Sequence, residues 1–183
     1  MRPRCSLLVF TGWPSDGKTS LIKLLNIDNL KIISTDELRR QFFPSSYDEL
    51  EYPKEWRILW DYISALRDCF LIGRNNVIID SCSHTNVERD LFFNLSKLTY
   101  PLQRRALQID SYLVKLVISD QERLRRFEEQ KAVICGLNSI KRMQADYSEP
   151  LTYKKEGVRY LELPNESFED QKRNLQYLKN LLS

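Results

Sequence analysis

One stretch constrains this chain more than any other: the segment Gly12-Trp-Pro-Ser-Asp-Gly17-Lys18-Thr19, which fits G-x-x-x-x-G-K-[ST]. It concentrates two of the chain's five glycines within six positions. At average residue usage, with glycine at about 7%, the pattern arises by chance in roughly one chain of this length in a few hundred. Its context is equally specific, because the apolar run 5–11 (CSLLVFT) precedes it and "TSLIKLLN" follows it. The run suits a strand buried on both faces, and the following stretch suits a helix with Leu21, Leu24 and Leu25 on one side. Glycines at such a turn let successive main-chain N–H groups point inward at anionic oxygens. The helix that follows adds the partial positive charge of its N-terminus. The lysine reaches terminal phosphates and the threonine hydroxyl can ligate Mg²⁺. The alternative is a plain glycine turn, which explains neither Lys18 nor Thr19. The segment therefore predicts a cradle for a nucleoside triphosphate tail. Asp16 is a carboxylate inside a loop meant for anions, so its side chain is expected to point away from the phosphates.

The rest of the chain extends this start into an alternating pattern. Strands are predicted at 30–34 (LKIIS), 76–80 (NVIID), 112–119 and 158–164. Between them lie a helix capped by Thr35, a helix over 54–72, one over 86–97 and one opening at Ser119. A last helix carries Phe168, Leu175, Leu178 and Leu182. Trp56, Leu59, Trp60, Ile63, Leu66 and Phe70 recur at spacings of three and four, a stripe that favours core packing for both tryptophans. Gly73 sits where a helix C-terminal glycine belongs. Thr85 with Glu88, Ser119 with Glu122 and Ser167 with Asp170 have capping-box spacing. Alternation of this kind implies right-handed βαβ units and a parallel sheet, an α/β fold. The 183 residues suffice for one domain, and no linker divides 1–183.

Composition excludes more than it selects. Hydrophobic residues at 42% and charged residues at 29% are those of a water-soluble globular chain. A net charge of +3 neither requires nor excludes a polyanionic partner. No apolar run approaches the roughly 20 residues of a membrane span. The apolar start runs straight into the glycine loop and reads as a first strand, not a signal peptide. Cys5, Cys69, Cys82 and Cys135 show no metal-ligand spacing and read as reduced thiols of a cytoplasmic protein.

In an open parallel sheet the ligand lies beyond the carboxyl ends of the strands, so the residues after the second and third strands matter most. After the second stands "STDELRR", with Asp36 and Arg39 three apart. Two readings stay open. Asp36 can accept the proton of an attacking hydroxyl while Arg39 holds an anionic group, or Asp36 is an acid favoured by the helix dipole and Arg39 a solvated cation. Asp80, ending the third strand, is placed to hold Mg²⁺ or touch an acceptor.

These residues carry a resemblance. G-x-P-x-x-G-K-[ST], then D-x-x-R after the second strand, then an apolar strand ending in Asp, resembles the polynucleotide-kinase-like P-loop kinases. That group includes 5′-hydroxyl polynucleotide kinases and L-seryl-tRNA(Sec) kinases, with zeta-toxin-like relatives. "LRR" (124–126) is similar to their arginine-bearing lid, and "IKRMQADYSEP" (140–150) to a stretch of the seryl-tRNA kinases. The resemblance covers nearly the whole chain. It implies a three-layer P-loop fold with strand order 2-3-1-4-5, helices on both faces and a helical lid at roughly 120–147. It implies ATP and Mg²⁺ as ligands, held by Gly12, Pro14, Ser15, Asp16, Gly17, Lys18, Thr19 and Ser20, with Thr19 and Asp80 at the metal. It further implies Asp36 as general base, Arg39 on an anion of the acceptor, and Arg126 with Arg125 at the transferring phosphoryl group. The chain departs from the family in Asp80-Ser81-Cys82, where Asp-Thr-Asn is expected, and in Gln130, where a second lid arginine is expected. It also has Ser15-Asp16, where Gly-Ser or Ala-Ser is commoner. By this reading the chain, ending at Ser183, does without the extra C-terminal part that tRNA-acting relatives often carry.

The expectation is an ATP-dependent kinase with a polynucleotide or RNA acceptor. A small hydroxylated acceptor, or an ATP-binding regulatory module without transfer, are the alternatives. Arginines and aromatics over 39–62 suit base stacking beside a basic groove. Trp56 and Trp60 also suit the core, and Phe42, Phe43 and Tyr47 are undecided between core and acceptor. His84 reads as a loop residue near the acceptor mouth.

Overall fold

The computed structural model describes residues 4–43, 54–94, 108–129 and 143–183. Five strands form one sheet: β1 (Arg4–Thr11), β2 (Leu30–Ser34), β3 (Asn76–Asp80), β4 (Gln108–Val117) and β5 (Val158–Pro164). Their order is β2-β3-β1-β4-β5, and every pairing is parallel. This is the expected order, with β1 central and buried along all but its first residue. Strand β4 begins four residues before the expected start and ends two before the expected end, because it pairs with β1 from Arg4↔Gln108 to Thr11↔Lys115.

The period of two along β1 builds two cores. Leu7 and Val9 face one layer with Ile33, Val77, Ile79 and Leu113. That layer receives Leu59, Ile63 and Leu71 of helix α3 (Lys54–Ile72) and Phe92 and Phe93 of α4 (Asn86–Phe93). Leu8 and Phe10 face the other with Ile78, Val114 and Leu116. There the partners are Leu21 and Ile22 of α1 (Lys18–Lys23), Leu25 just beyond it, and Leu178 and Leu182 of α6 (Phe168–Leu182). Each such side chain contributes about 1.5–3 kcal/mol on burial, so the two layers fix the strand tips against which the loops are built. Trp56 and Trp60 stack at 5.5 Å and border the first core. Two expected core residues lie outside: Leu24 follows the end of α1 and is 49% exposed, and Phe168 is 67% exposed at the start of α6.

Helix ends refine several expectations. Helix α2 (Thr35–Phe42) is capped by Ser34, whose hydroxyl accepts from the Glu37 N–H at 3.3 Å. Thr35 is not the cap, because its hydroxyl donates inward to the Asp80 carbonyl at 3.3 Å. Helix α3 closes with Asn75 N–H on the Phe70 carbonyl and Arg74 N–H on the Leu71 carbonyl. In this closure the left-handed position falls one residue past the cap, on Arg74 (φ 60°) and not on Gly73. Helix α5 (Asp120–Glu129) makes half of its expected box: Ser119 Oγ accepts from Glu122 N–H, while Ser119 N–H donates to Glu166. The boxes at Thr85/Glu88 and Ser167/Asp170 are complete. Thr85→Ala is expected to cost about 1 kcal/mol through loss of the cap, seen as a melting temperature lower by about 2–4 °C.

The expected 43–52 loop with Tyr47, much of the expected lid with Gln130, and Cys135 lie outside the described residues, apart from Phe43. Phe42 closes α2 and meets Tyr62 edge-on at 4.9 Å.

Candidate active site

The loop after β1 takes the backbone that its glycines permit. Gly12 has φ 127° and Gly17 φ 90°, with Ser15 also left-handed at 68°. A Cβ on Gly12 would stand 2.6 Å from Asp16 Oδ2, and one on Gly17 2.6 Å from Asn165 Nδ2. Both glycines are thus required by conformation and by crowding. Gly17 caps α1 with no side-chain bond to it, which leaves the first-turn amides available to an anion. Lys18 is buried and folds over the loop, its Nζ donating to the Trp13 carbonyl at 2.6 Å and the Gly12 carbonyl at 3.4 Å. An ammonium held, among the described residues, by main-chain carbonyls at the mouth of an amide-lined loop suits a phosphate.

Thr19 and Asp80 come together at this mouth, the hydroxyl donating to Asp80 Oδ2 at 2.8 Å. They meet because β3 lies beside β1 and ends where the loop begins. Burial pushes the Asp80 carboxyl up, against the hydrogen bond from Thr19 and the charge of Lys18, while Asp36 and Glu37 push it further up. A hydroxyl and one carboxylate are the sparse oxygen set that Mg²⁺ takes beside phosphates. Among the described residues no cluster of three or more His, Cys, Asp or Glu would hold a metal by itself.

Asp36 stands on the neighbouring strand tip, since β2 pairs with β3 up to Ser34↔Asp80. Its Oδ1 accepts from Arg39 Nη2 at 3.1 Å. Arg39 is buried, not solvated, and its guanidinium lies 5.8 Å over the Trp56 ring. The arrangement offers a half-exposed carboxylate oriented by a fixed cation, a geometry able to take a proton from a hydroxyl.

The back of the loop joins Asp16 and Arg126, both expected at the site, to Arg123 and Asn165, which sequence reasoning missed. Asp16 is fully buried; Trp13 N–H donates to its Oδ2 at 2.8 Å and Arg123 Nε to its Oδ1 at 2.9 Å. Its carbonyl accepts from Asn165 Nδ2 at 2.8 Å and from Arg126 Nη1 at 3.5 Å. Arg126 also donates to the Asn165 carbonyl at 2.7 Å and to Glu122 at 2.6 Å. Arg126 is therefore brought against the loop, whereas Arg125 bonds to Glu122 and Glu129 on its own helix. The hydrogen bonds from Arg125 and Arg126 pull the Glu122 carboxyl down to about 2. Pro14 and Ser15 lie in the loop half-buried, and Ser20 is exposed on α1. The one signal for Arg123 was Asp16 itself, because a carboxylate buried in an anion-binding loop requires a cation.

The floor is held by Arg89, fully buried. It donates to the carbonyls of Ser83 (2.9 Å), His84 (3.4 Å) and Ser148 (2.6 Å), to Asn86 Oδ1 (2.8 Å) and to the Thr11 hydroxyl (3.3 Å). Thr11 Oγ1 is also within hydrogen-bond distance of the Ser83 carbonyl at 2.9 Å, and Gly12 N–H donates to that of Cys82 at 3.0 Å. His84 is engaged with Glu88, Nδ1 to Oε2 at 3.1 Å. Trp13 stacks on Tyr147 with ring centres 4.8 Å apart.

No family model and no curated protein matches the sequence. Solved structures do match. A sugar kinase from Janibacter sp. HTCC2649 superposes with a TM-score of 0.64 at 12% identity, covering 99% of each chain. A fungal RNA kinase gives 0.63 at 13% identity over 100% of this chain and 87% of that one. This chain has the fold of the P-loop kinases. Chaetomium thermophilum Kti12, solved with ADP-AlF3, shares that P-loop kinase fold at a TM-score of 0.56 and 17% identity, over 97% of this chain and 99% of that one. Among the described residues no helix of this P-loop kinase fold is long and apolar enough to cross a membrane.

Proposed function

We propose that this protein is a cytoplasmic ATP-dependent phosphotransferase that moves the γ-phosphoryl group of ATP to a hydroxyl, with a polynucleotide or RNA as preferred acceptor. The observation that carries the reading is the meeting of Thr19 with Asp80 at 2.8 Å beside buried Lys18. It assembles a phosphate-binding cation and a metal-binding oxygen pair at one loop mouth. The main-chain amides of Gly17, Lys18 and Thr19 hold the triphosphate, with Lys18 Nζ on its terminal phosphates. Thr19 and Asp80 would hold Mg²⁺, which would supply charge neutralisation when bound. Asp36 takes the acceptor's proton as the new P–O bond forms and the bond between the γ-phosphorus and its bridging oxygen breaks, releasing ADP. Arg39 fixes Asp36 and an anionic group of the acceptor. Arg126, the lid arginine that reaches the loop, neutralises charge on the transferring phosphoryl group.

Incubation with γ-labelled ATP and a panel of 5′-hydroxyl oligonucleotides, tRNA and small alcohols tests the assignment. Label should pass to a nucleic-acid hydroxyl. Bound ATP with transfer to none of the panel would reject a transferase and favour a regulatory module. The similarity to a sugar kinase supports a second reading, a small hydroxylated acceptor. Salt separates the two. A polyanionic acceptor should bind roughly tenfold or more weakly between about 50 and about 200 mM salt, and a neutral one nearly unchanged.

A further inference from the structure

The Asp16 carboxylate is fully buried in a loop whose other features all favour anions. One of its oxygens accepts the Trp13 N–H and the other the Arg123 guanidinium, whose remaining carboxylate contact among the described residues is Asp120 at 2.6 Å. The Asp120 side chain is 97% exposed, so that second pairing is screened by water and holds Arg123 only weakly. Asp16 is therefore the partner that fixes Arg123. The main chain of the same residue is clamped by Asn165 and Arg126. Helix α5 is thus docked onto the loop through a side-chain ion pair and a main-chain bond at one position.

A carboxylate directly behind phosphate-binding amides opposes the charge those amides recruit. At protein-like effective dielectric, one uncompensated unit charge several ångströms from a triphosphate weakens binding by a factor of ten or more. We propose that Asp16 and Arg123 are a positioning pair for the nucleotide. Asp16 shapes the loop by holding the Trp13 amide, and Arg123 cancels the charge this introduces, so that the loop is a strong anion site only while α5 is docked. The proposal rests on the nucleotide-binding reading above, and it adds to that reading a coupling between α5 and the affinity of the loop.

Titration calorimetry of MgATP and MgADP on the full chain tests it. Arg123→Gln should bind both nucleotides about tenfold or more weakly, and Arg123→Lys should keep most of the affinity. Asp16→Asn, whose amide oxygen still accepts the Trp13 N–H, should bind as wild type or better. The decisive variant is Arg123→Gln with Asp16→Asn, in which affinity should return. Asp120→Ala should be neutral. Wild-type affinity in Arg123→Gln would overturn the proposal, as would a double variant as weak as the single one, which would mean that Arg123 acts through packing or direct contact. A wild-type protein that takes up no nucleotide would instead reject the reading on which the pair depends.

Discussion

Asp36→Asn will leave MgATP binding within about twofold and lower phosphoryl transfer about 10²–10⁴-fold, the contribution of a positioned general base. The substitution keeps the size of the side chain and an oxygen for Arg39 Nη2, so the 3.1 Å contact that orients it survives in weaker form. What is lost is the ability to accept a proton. Nucleotide affinity should not fall, because Asp36 contributes a repulsive charge to Asp80 and its removal eases ionisation of the metal-side carboxyl. Single-turnover transfer and calorimetry on the same preparation separate the two quantities. Undiminished transfer would remove Asp36 from the chemistry, and a parallel loss of ATP binding would place it on the nucleotide side.

Arg89→Met should lower stability by about 3–5 kcal/mol, because it strips the donor from several buried acceptors at about 1–3 kcal/mol each. For a chain of this size that is a melting temperature lower by roughly 6–20 °C. Burial alone pushes the Arg89 guanidinium pKa down, so charge at this site is costly and is retained for its bonds. Methionine fills much of the volume but leaves the carbonyls of Ser83, His84 and Ser148 without that donor. Arg89→Lys, which keeps the charge and cannot span the same acceptors, should recover only part of the loss. Thermal unfolding followed by circular dichroism gives the comparison. A shift under about 3 °C would mean that water replaces the guanidinium.

The frame was legible because its causes are local. The apolar run 5–11, the glycines at 12 and 17 and the alternation of strand and helix patterns are set by period and backbone freedom. They led to the parallel sheet and the phosphate loop, whereas the strand order and the placing of Thr19 with Asp80 came from the family resemblance. Arg123, Asn165 and Arg89 were not legible as loop supports, since each reaches the end of β1 or the loop after it across 78 to 149 positions of sequence. Nothing in "DQERLRRFEEQ" distinguishes Arg123, aimed at Asp16, from Arg125, spent on its own helix. Choices between adjacent residues were misjudged for the same reason. Ser34 caps α2 because Thr35 is drawn towards β3, and Arg74 turns left-handed because the closing bonds of α3 fall there and not at Gly73.

The tie between the phosphate loop and the segment after β3 is made by carbonyls: Cys82 receives Gly12 N–H, and Ser83 lies within reach of the Thr11 hydroxyl. Every amino acid owns a carbonyl, so the bond that Gly12 makes is indifferent to which side chain stands at 82, while buried, left-handed Ser83 is constrained by its backbone. A change of side chain at Cys82 should therefore leave this tie, and the loop it anchors, in place.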